Sequence, residues 1–220
     1  EPPKHVIFIL ATTEIDKVPD TIVSRCQVFT FKKPNISVLK EMISGVLKKE
    51  KFKIDEAGIE LISLLGDGSF RDTYGVLQKV MSFSKDQRID LKEIETVTGA
   101  PNGKLVNDLL EAVVKSDGDG GVETIKKLEE GNIDVEVFLK IFLARLRTAL
   151  LLRYAPNMKK ELLETISEDD AKVLVELLKE KGAGISSKTL EIFLETQINI
   201  KYATSKTLAL ELAFVKTLEN

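Results

Sequence analysis

The chain has 220 residues, 43% of them hydrophobic and 30% charged, with a formal net charge of -3. That composition excludes a disordered chain and a whole-chain electrostatic footprint for nucleic acid, leaving room only for a local basic strip. With one cysteine (Cys26) and one histidine (His5), neither an internal disulfide nor the usual structural zinc sets can form, so a reducing compartment is the expectation. No signal peptide stands at the start, and the most apolar stretch, residues 137–154, is interrupted by Lys140, Arg145, Arg147 and Arg153, so no membrane span is expected.

Residues 6–11 (VIFILA) form a continuous apolar run and predict a strand covered on both faces, as in a parallel α/β sheet whose other strands would lie upstream. Thr12, Thr13 and Glu14 follow at the carboxyl end of that strand, where open α/β sheets place ligands. Pro19 lies in a turn and short helical segment over residues 16–23, and residues 27–31 (QVFTF) alternate like a short edge strand. The opening Glu1-Pro2-Pro3, without a methionine, predicts a chain that begins inside a domain.

After Lys33-Pro34-Asn35 the pattern becomes helical. Helices are predicted over residues 38–49, 55–65, 70–81 and 91–97, with Gly66-Asp67-Gly68 closing the second. Ser69 and Asp72 predict a capping box at the start of the third. Residues 99–103 (GAPNG) are the best linker candidate. Beyond them, helices are predicted over 105–114, 122–129, 135–154, a marginal 161–166, 169–181, 187–203 and 205–218. Residues 117–121 read as a glycine-rich turn, and Gly182-Ala183-Gly184 as a helix stop.

Three side chains could carry chemistry. Arg25, in Ser24-Arg25-Cys26, is a permanent cation whose fork matches phosphate oxygens; supplied across an interface it can stabilise a transferring phosphoryl group. The alternative is a surface arginine pairing a carboxylate. Thr13 offers a hydroxyl for an attacking water or a phosphate oxygen, or else completes a strand-end turn. Arg71 stands in the first turn of a helix, where the dipole disfavours a cation and a phosphate would favour it; Asp72 beside it supplies the local ion pair as alternative. Cys26 has apolar neighbours and no nearby histidine, so a buried structural role is expected, and His5 is incidental. Lys48, Lys49, Lys51 and Lys53 read as a solvated helix end rather than a DNA contact. Arg145, Arg147 and Arg153 either face a subunit interface or snorkel to water.

These motifs resemble one family. The run HVIFILATTE…VPDTIVSRCQVFTFKKP is similar to the end of the ATPase domain in bacterial DNA polymerase III gamma/tau subunits, the motors of sliding-clamp loaders. Glu1-Pro2-Pro3 resembles that family's Glu-Glu-Pro-Pro, GDGSFRDTYGVLQK its Gly-Ser-x-Arg-Asp lid element, and ATSKTLALELAFVKTL its last collar helix. The resemblance implies a mainly α chain in three parts of an AAA+ fold. Residues 1–33 would end the α/β ATPase domain, 34–100 would form the helical lid, and 101–220 the helical collar.

Within that frame Thr13 falls at sensor 1. Arg25 falls at the arginine finger, acting in trans, and Arg71 at sensor 2, reaching the γ-phosphate in its own subunit. The resemblance implies an ATPase subunit of the replicative polymerase, using ATP and Mg2+ to load the clamp on primed DNA. Its partners would be gamma/tau copies, delta and delta-prime through the collar, together with the clamp and DNA; it would be cytoplasmic, with no membrane. The family's phosphate-binding loop, acidic magnesium motif and four-cysteine zinc module do not occur in these 220 residues, which by themselves are expected neither to bind nor to hydrolyse ATP. Where the family has Ala-Leu after Arg-Asp, this chain has Thr73-Tyr74, an expected change in lid packing. A delta-prime-like stator keeps the fold without hydrolysis, and Arg71 argues for the motor; a purely structural helical module is the third reading.

Overall fold

The computed structural model describes residues 3–84, 86–163, 166, 168–179 and 185–219, with backbone only at 160, 161, 168 and 169. The chain divides into two compact units, Glu1–Lys33 and Pro34–Asn220.

The first unit holds a single 3-10 turn, Ile15–Lys17, and one short helix, α1 (Asp20–Val23). Residues 6–11 and 27–31, both expected as strands, are in no strand. The reason is physical: an extended backbone cannot satisfy its own N–H and C=O groups, and becomes a strand only beside another. No partner strand lies alongside among the described residues, and Ile9 (90% exposed) and Phe31 (94%) face solvent.

The second unit is a helical assembly whose starts are set by side-chain caps. Asn35 caps α2 (Ile36–Glu50), Asp55 caps α3 (Glu56–Leu65) and Ser69 caps α4 (Phe70–Phe83). Asp90, with Glu93, forms a capping box on α5 (Leu91–Thr98). In each case the side-chain oxygen accepts a bond from an N–H that the helix leaves without a partner. The expected box at Ser69 is only half present: its Oγ accepts from Asp72 N at 3.2 Å, while Ser69 N donates to Gly66 O at 2.9 Å. Aspartate is one methylene shorter than the glutamate that completes such boxes. Two residues on each side, β1 (Lys53–Ile54) and β2 (Arg88–Ile89), pair in parallel and tie the ends of α2 and α4 together. The sequence carried no signal for a ladder this short.

Gly99, at φ 70°, ends α5 in the left-handed conformation that suits glycine. Its carbonyl accepts from Asp134 N and Ala100 is buried, so the predicted linker is packed within the helical unit. Then come α6 (Gly103–Lys115), α7 (Gly118–Glu130), α8 (Val135–Tyr154), α9 (Lys159–Leu163), α10 (Glu168–Leu177), α11 (Ser187–Asn199) and α12 (Lys206–Leu218). Residues 118–121, expected as a turn, form the first turn of α7, capped by Asp117. Gly121 is there for space. A Cβ on Gly121 would lie 2.0 Å from Phe214 Cζ, so α12 packs against bare backbone. The predicted stop at residues 182–184 lies outside the described residues.

The core centres on α8, which buries most of its surface, Phe138, Leu139, Ile141, Phe142 and Leu146 included, and leaves one stripe through Glu136, Lys140 and Arg147 less covered. Phe138 stacks on Phe142 at 6.1 Å, and Phe142 meets Phe193 of α11 edge-on at 4.7 Å. Arg145 is the exception in this helix. Buried, it forks onto both carboxylate oxygens of Asp170 on α10 and donates to Asn107 Oδ1 on α6 at 2.6 Å. It therefore neither faces a free surface nor snorkels; a buried guanidinium is tolerated because its donors are met. Arg147 is exposed, and Arg153 donates to Ile185 O at 2.7 Å.

Candidate functional site

Thr13 and Arg25 lie in the first unit. Thr12 Oγ1 accepts from Glu14 N at 3.0 Å, which folds the chain into a tight bend and leaves the neighbouring Thr13 exposed. Pro19 precedes α1, and the turn that ends it runs through Ser24 N to Asp20 O, Arg25 N to Ile22 O and Cys26 N to Val23 O, at 2.9–3.0 Å. Arg25 stands on that turn, exposed, and its Nη1 donates to the carbonyl of Thr21 one helical turn earlier. Among the described residues no hydrogen bond joins Thr13 to Arg25, and no carboxylate pairs with Arg25. Cys26 is an exposed free thiol, not the buried residue its neighbours suggested. Val28 and Phe29 beside it are themselves exposed, so sequence neighbours do not enclose the sulfur.

Arg71 belongs to the helical unit. The turn before it passes through Gly66, then Asp67 (φ 53°) and Gly68 (φ 70°), two successive left-handed residues that reverse the chain between α3 and α4. Gly66 is pressed against α4: a Cβ there would stand 1.8 Å from Thr73 Oγ1. Thr73 is fully buried and its Oγ1 donates to Ser69 O at 2.7 Å, so this threonine clamps the helix start. Arg71 occupies the second position of α4 and is exposed, as are Phe70 and Tyr74 on the same first turns. Asp72 does not form the local ion pair with it, and no other described carboxylate does. A cation at a helix start without a counter-charge is an unfavourable arrangement by itself, and an anion would relieve it.

Residues that sequence reasoning missed lie where α3, α6, α8 and α10 meet. Glu60 of α3 is 5% exposed, and its Oε2 lacks a hydrogen-bond partner among the described residues, with Lys40 Nζ of α2 3.8 Å away. Burial pushes its carboxyl up to about 7; Lys40 works against the rise and Asp170 adds to it. It lines a cavity of about 60 Å3 with Glu95, Arg145 and Asp170. The one available signal was a glutamate flanked by Ile59, Leu61 and Ile62. No group of three or more His, Cys, Asp or Glu side chains among the described residues could hold a metal ion, so no step is assigned to Mg2+. No helix of the described residues is long and apolar enough to cross a membrane.

Comparison with known proteins places these features in context. Residues 1–35 match the family model described as DNA polymerase III, delta subunit. The chain is 28% identical over 216 residues to DNA polymerase III subunit tau of Bacillus subtilis, covering 98% of this chain and 38% of that protein. It is 31% identical over 140 residues to subunit gamma/tau of Mycoplasma genitalium, covering 64% and 24%. Subunit gamma of a Buchnera aphidicola strain is 31% identical over 159 residues, covering 72% and 43%. The chain thus spans less than half the length of these relatives. A solved structure, the Bacillus subtilis DNA clamp loader delta protein, superposes with a TM-score of 0.45 at 16% identity, covering 86% of this chain and 58% of that one.

Proposed function

We infer that this chain, a homologue of the DNA polymerase III gamma/tau subunits over most of its length, supplies the arginine-presenting and helical parts of a clamp-loader motor subunit. One observation carries the reading: along a sequence collinear with the tau subunit, two guanidiniums, Arg25 and Arg71, stand exposed without a carboxylate partner among the described residues. Two cations left without counter-charges suit a polyanion that arrives with a partner. In this reading Arg25 acts as the finger on ATP held by the neighbouring subunit, where it stabilises charge on the transferring γ-phosphoryl group. Arg71 is sensor 2 and meets the γ-phosphate in its own subunit; Thr13, at sensor 1, orients the attacking water or a phosphate oxygen. Residues 34–100 serve as the lid and 101–220 as the collar.

The collar assignment is supported by α12, which buries Leu210, Ala213 and Phe214 while Leu208 (62% exposed) and Leu212 (55%) form a ridge on the opposite side with Val215. Such a ridge suits packing against other clamp-loader subunits. The whole assembly would act on the sliding clamp and primed DNA in the cytoplasm, with ATP and Mg2+ held mainly by a phosphate-binding loop and acidic motif outside these residues, to which Arg71 and Thr13 add their contacts.

The test is Arg25→Ala in the full-length subunit within the assembled loader. ATP binding should be retained and clamp-dependent hydrolysis should fall by roughly 10³-fold, the usual contribution of such a finger. Loss of nucleotide binding in the mutated subunit with normal hydrolysis next door would refute the trans role. A second reading, a stator that donates Arg25 without hydrolysing ATP, draws on the match of residues 1–35 to the delta-subunit description. It predicts that Arg71→Ala leaves ATP affinity untouched.

A further inference from the structure

We propose that Lys140 of α8 is a positioning residue for Arg71, linking the long central helix to the turn that aims that guanidinium. The proposal rests on the reading of Arg71 as a phosphate contact.

The ammonium of Lys140 donates to Leu65 O, the last carbonyl of α3, at 3.0 Å, and lies 3.7 Å from Asp67 Oδ1 in the following turn. Leu65 O is among the four carbonyls that a helix leaves without an internal partner, and it sits at the negative end of the α3 dipole. A cation delivered from 75 residues away thereby fixes the exit of α3. From there every link to Arg71 is short. Asp67 and Gly68 take left-handed conformations, and Ser69 N donates back to Gly66 O. The Ser69 side chain caps α4 at Asp72 N, and Thr73 Oγ1 holds Ser69 O. Gly66 leaves no room between this turn and Thr73. The turn cannot shift without carrying the first residues of α4, and Arg71 is one of them.

Lys140 is half-buried, on the less covered stripe of α8. An uncharged side chain of similar length would fill the same volume. Its charge answers the carbonyl and Asp67, and movement of α8 as the helices around it assemble would be felt at Arg71.

The experiment compares Lys140→Met, Lys140→Arg and Arg71→Ala in the full-length subunit. Amide exchange at Ser69, Asp72 and Thr73 should speed up about tenfold in Lys140→Met, the equivalent of one charge-assisted hydrogen bond, with α11 amides unchanged. In the assembled loader the KM for ATP should rise about three- to tenfold while kcat changes less, and Lys140→Arg should restore both. Unchanged exchange at those three amides would overturn the coupling. Faster exchange with a normal KM, in a loader where Arg71→Ala raises KM, would overturn the positioning role alone. A normal KM in Arg71→Ala would remove the sensor reading and the positioning role with it.

Discussion

Residues 1–33 and residues 34–220 both carry runs of large apolar side chains, yet in the first unit these face solvent and in the second they form the core. Ile7, Phe8, Ile9 and Leu10 are exposed in sequence, whereas Phe138, Phe142, Phe193 and Phe214 are fully buried. The difference lies in the backbone. A helix satisfies its own N–H and C=O groups and asks of its neighbours only a surface to pack on. An extended segment needs another strand to receive its hydrogen bonds before its side chains can be covered. Apolar content alone does not decide burial; the element that presents it does.

The sharpest way to break this comparison is truncation on each side of it. Phe142→Ala removes a ring held between Phe138 and Phe193 and should cost about 3–5 kcal/mol, read as a lowered midpoint in denaturant unfolding. Phe31→Ala, at an exposed position, should stay within about 0.5 kcal/mol. A loss at Phe31 as large as that at Phe142 would break the comparison.

Next in size is a pH effect confined to the helical unit. Glu60 holds its proton more tightly folded than unfolded, since burial moves its carboxyl from 4.5 to about 7. The stability this group contributes is complete below pH 4.5 and is lost as pH rises towards 7. Glu60→Gln keeps the neutral form and should stabilise the protein by at most about 3 kcal/mol at pH 8, with no gain at pH 4.5. A gain that does not depend on pH would exclude titration of Glu60 as its source.

The smallest test concerns glycines within the helical unit. Gly121→Ala places a methyl against Phe214 and should cost about 1–3 kcal/mol. Gly45→Ala, inside α2 with nothing within 4 Å, should stabilise by about 0.5–1 kcal/mol. Paired thermal melts of the two variants should move in opposite directions.

The helices from residue 36 onward were legible because their information is local. Ser69 announces the start of α4 within three residues of the N–H it caps, and the apolar period of α2 picks out the buried Ile43 and Leu47, though it also takes in the exposed Val38 and passes over the buried Leu39. The candidate arginines were visible for the same reason, since Arg71 follows directly from a glycine turn and a cap. The start of α7 was not, because its glycines look like a turn until Phe214, some ninety residues later, is seen to need the bare backbone of Gly121. Exposure of Cys26 was hidden too, since its apolar neighbours proved to cover nothing.

The sequence by itself determined that the chain is mainly helical beyond residue 34 and which two arginines are candidates, because caps, periods and turns act over a few residues; that no described carboxylate pairs with Arg25 or Arg71 came from the structure. Only the tertiary structure decided that Arg145 is satisfied by Asp170 and Asn107, that Glu60 is buried with a raised proton affinity, and that Lys140 closes α3. Those outcomes depend on groups 25 to 75 residues apart meeting in a medium that excludes water, and no local pattern encodes which distant charge will arrive.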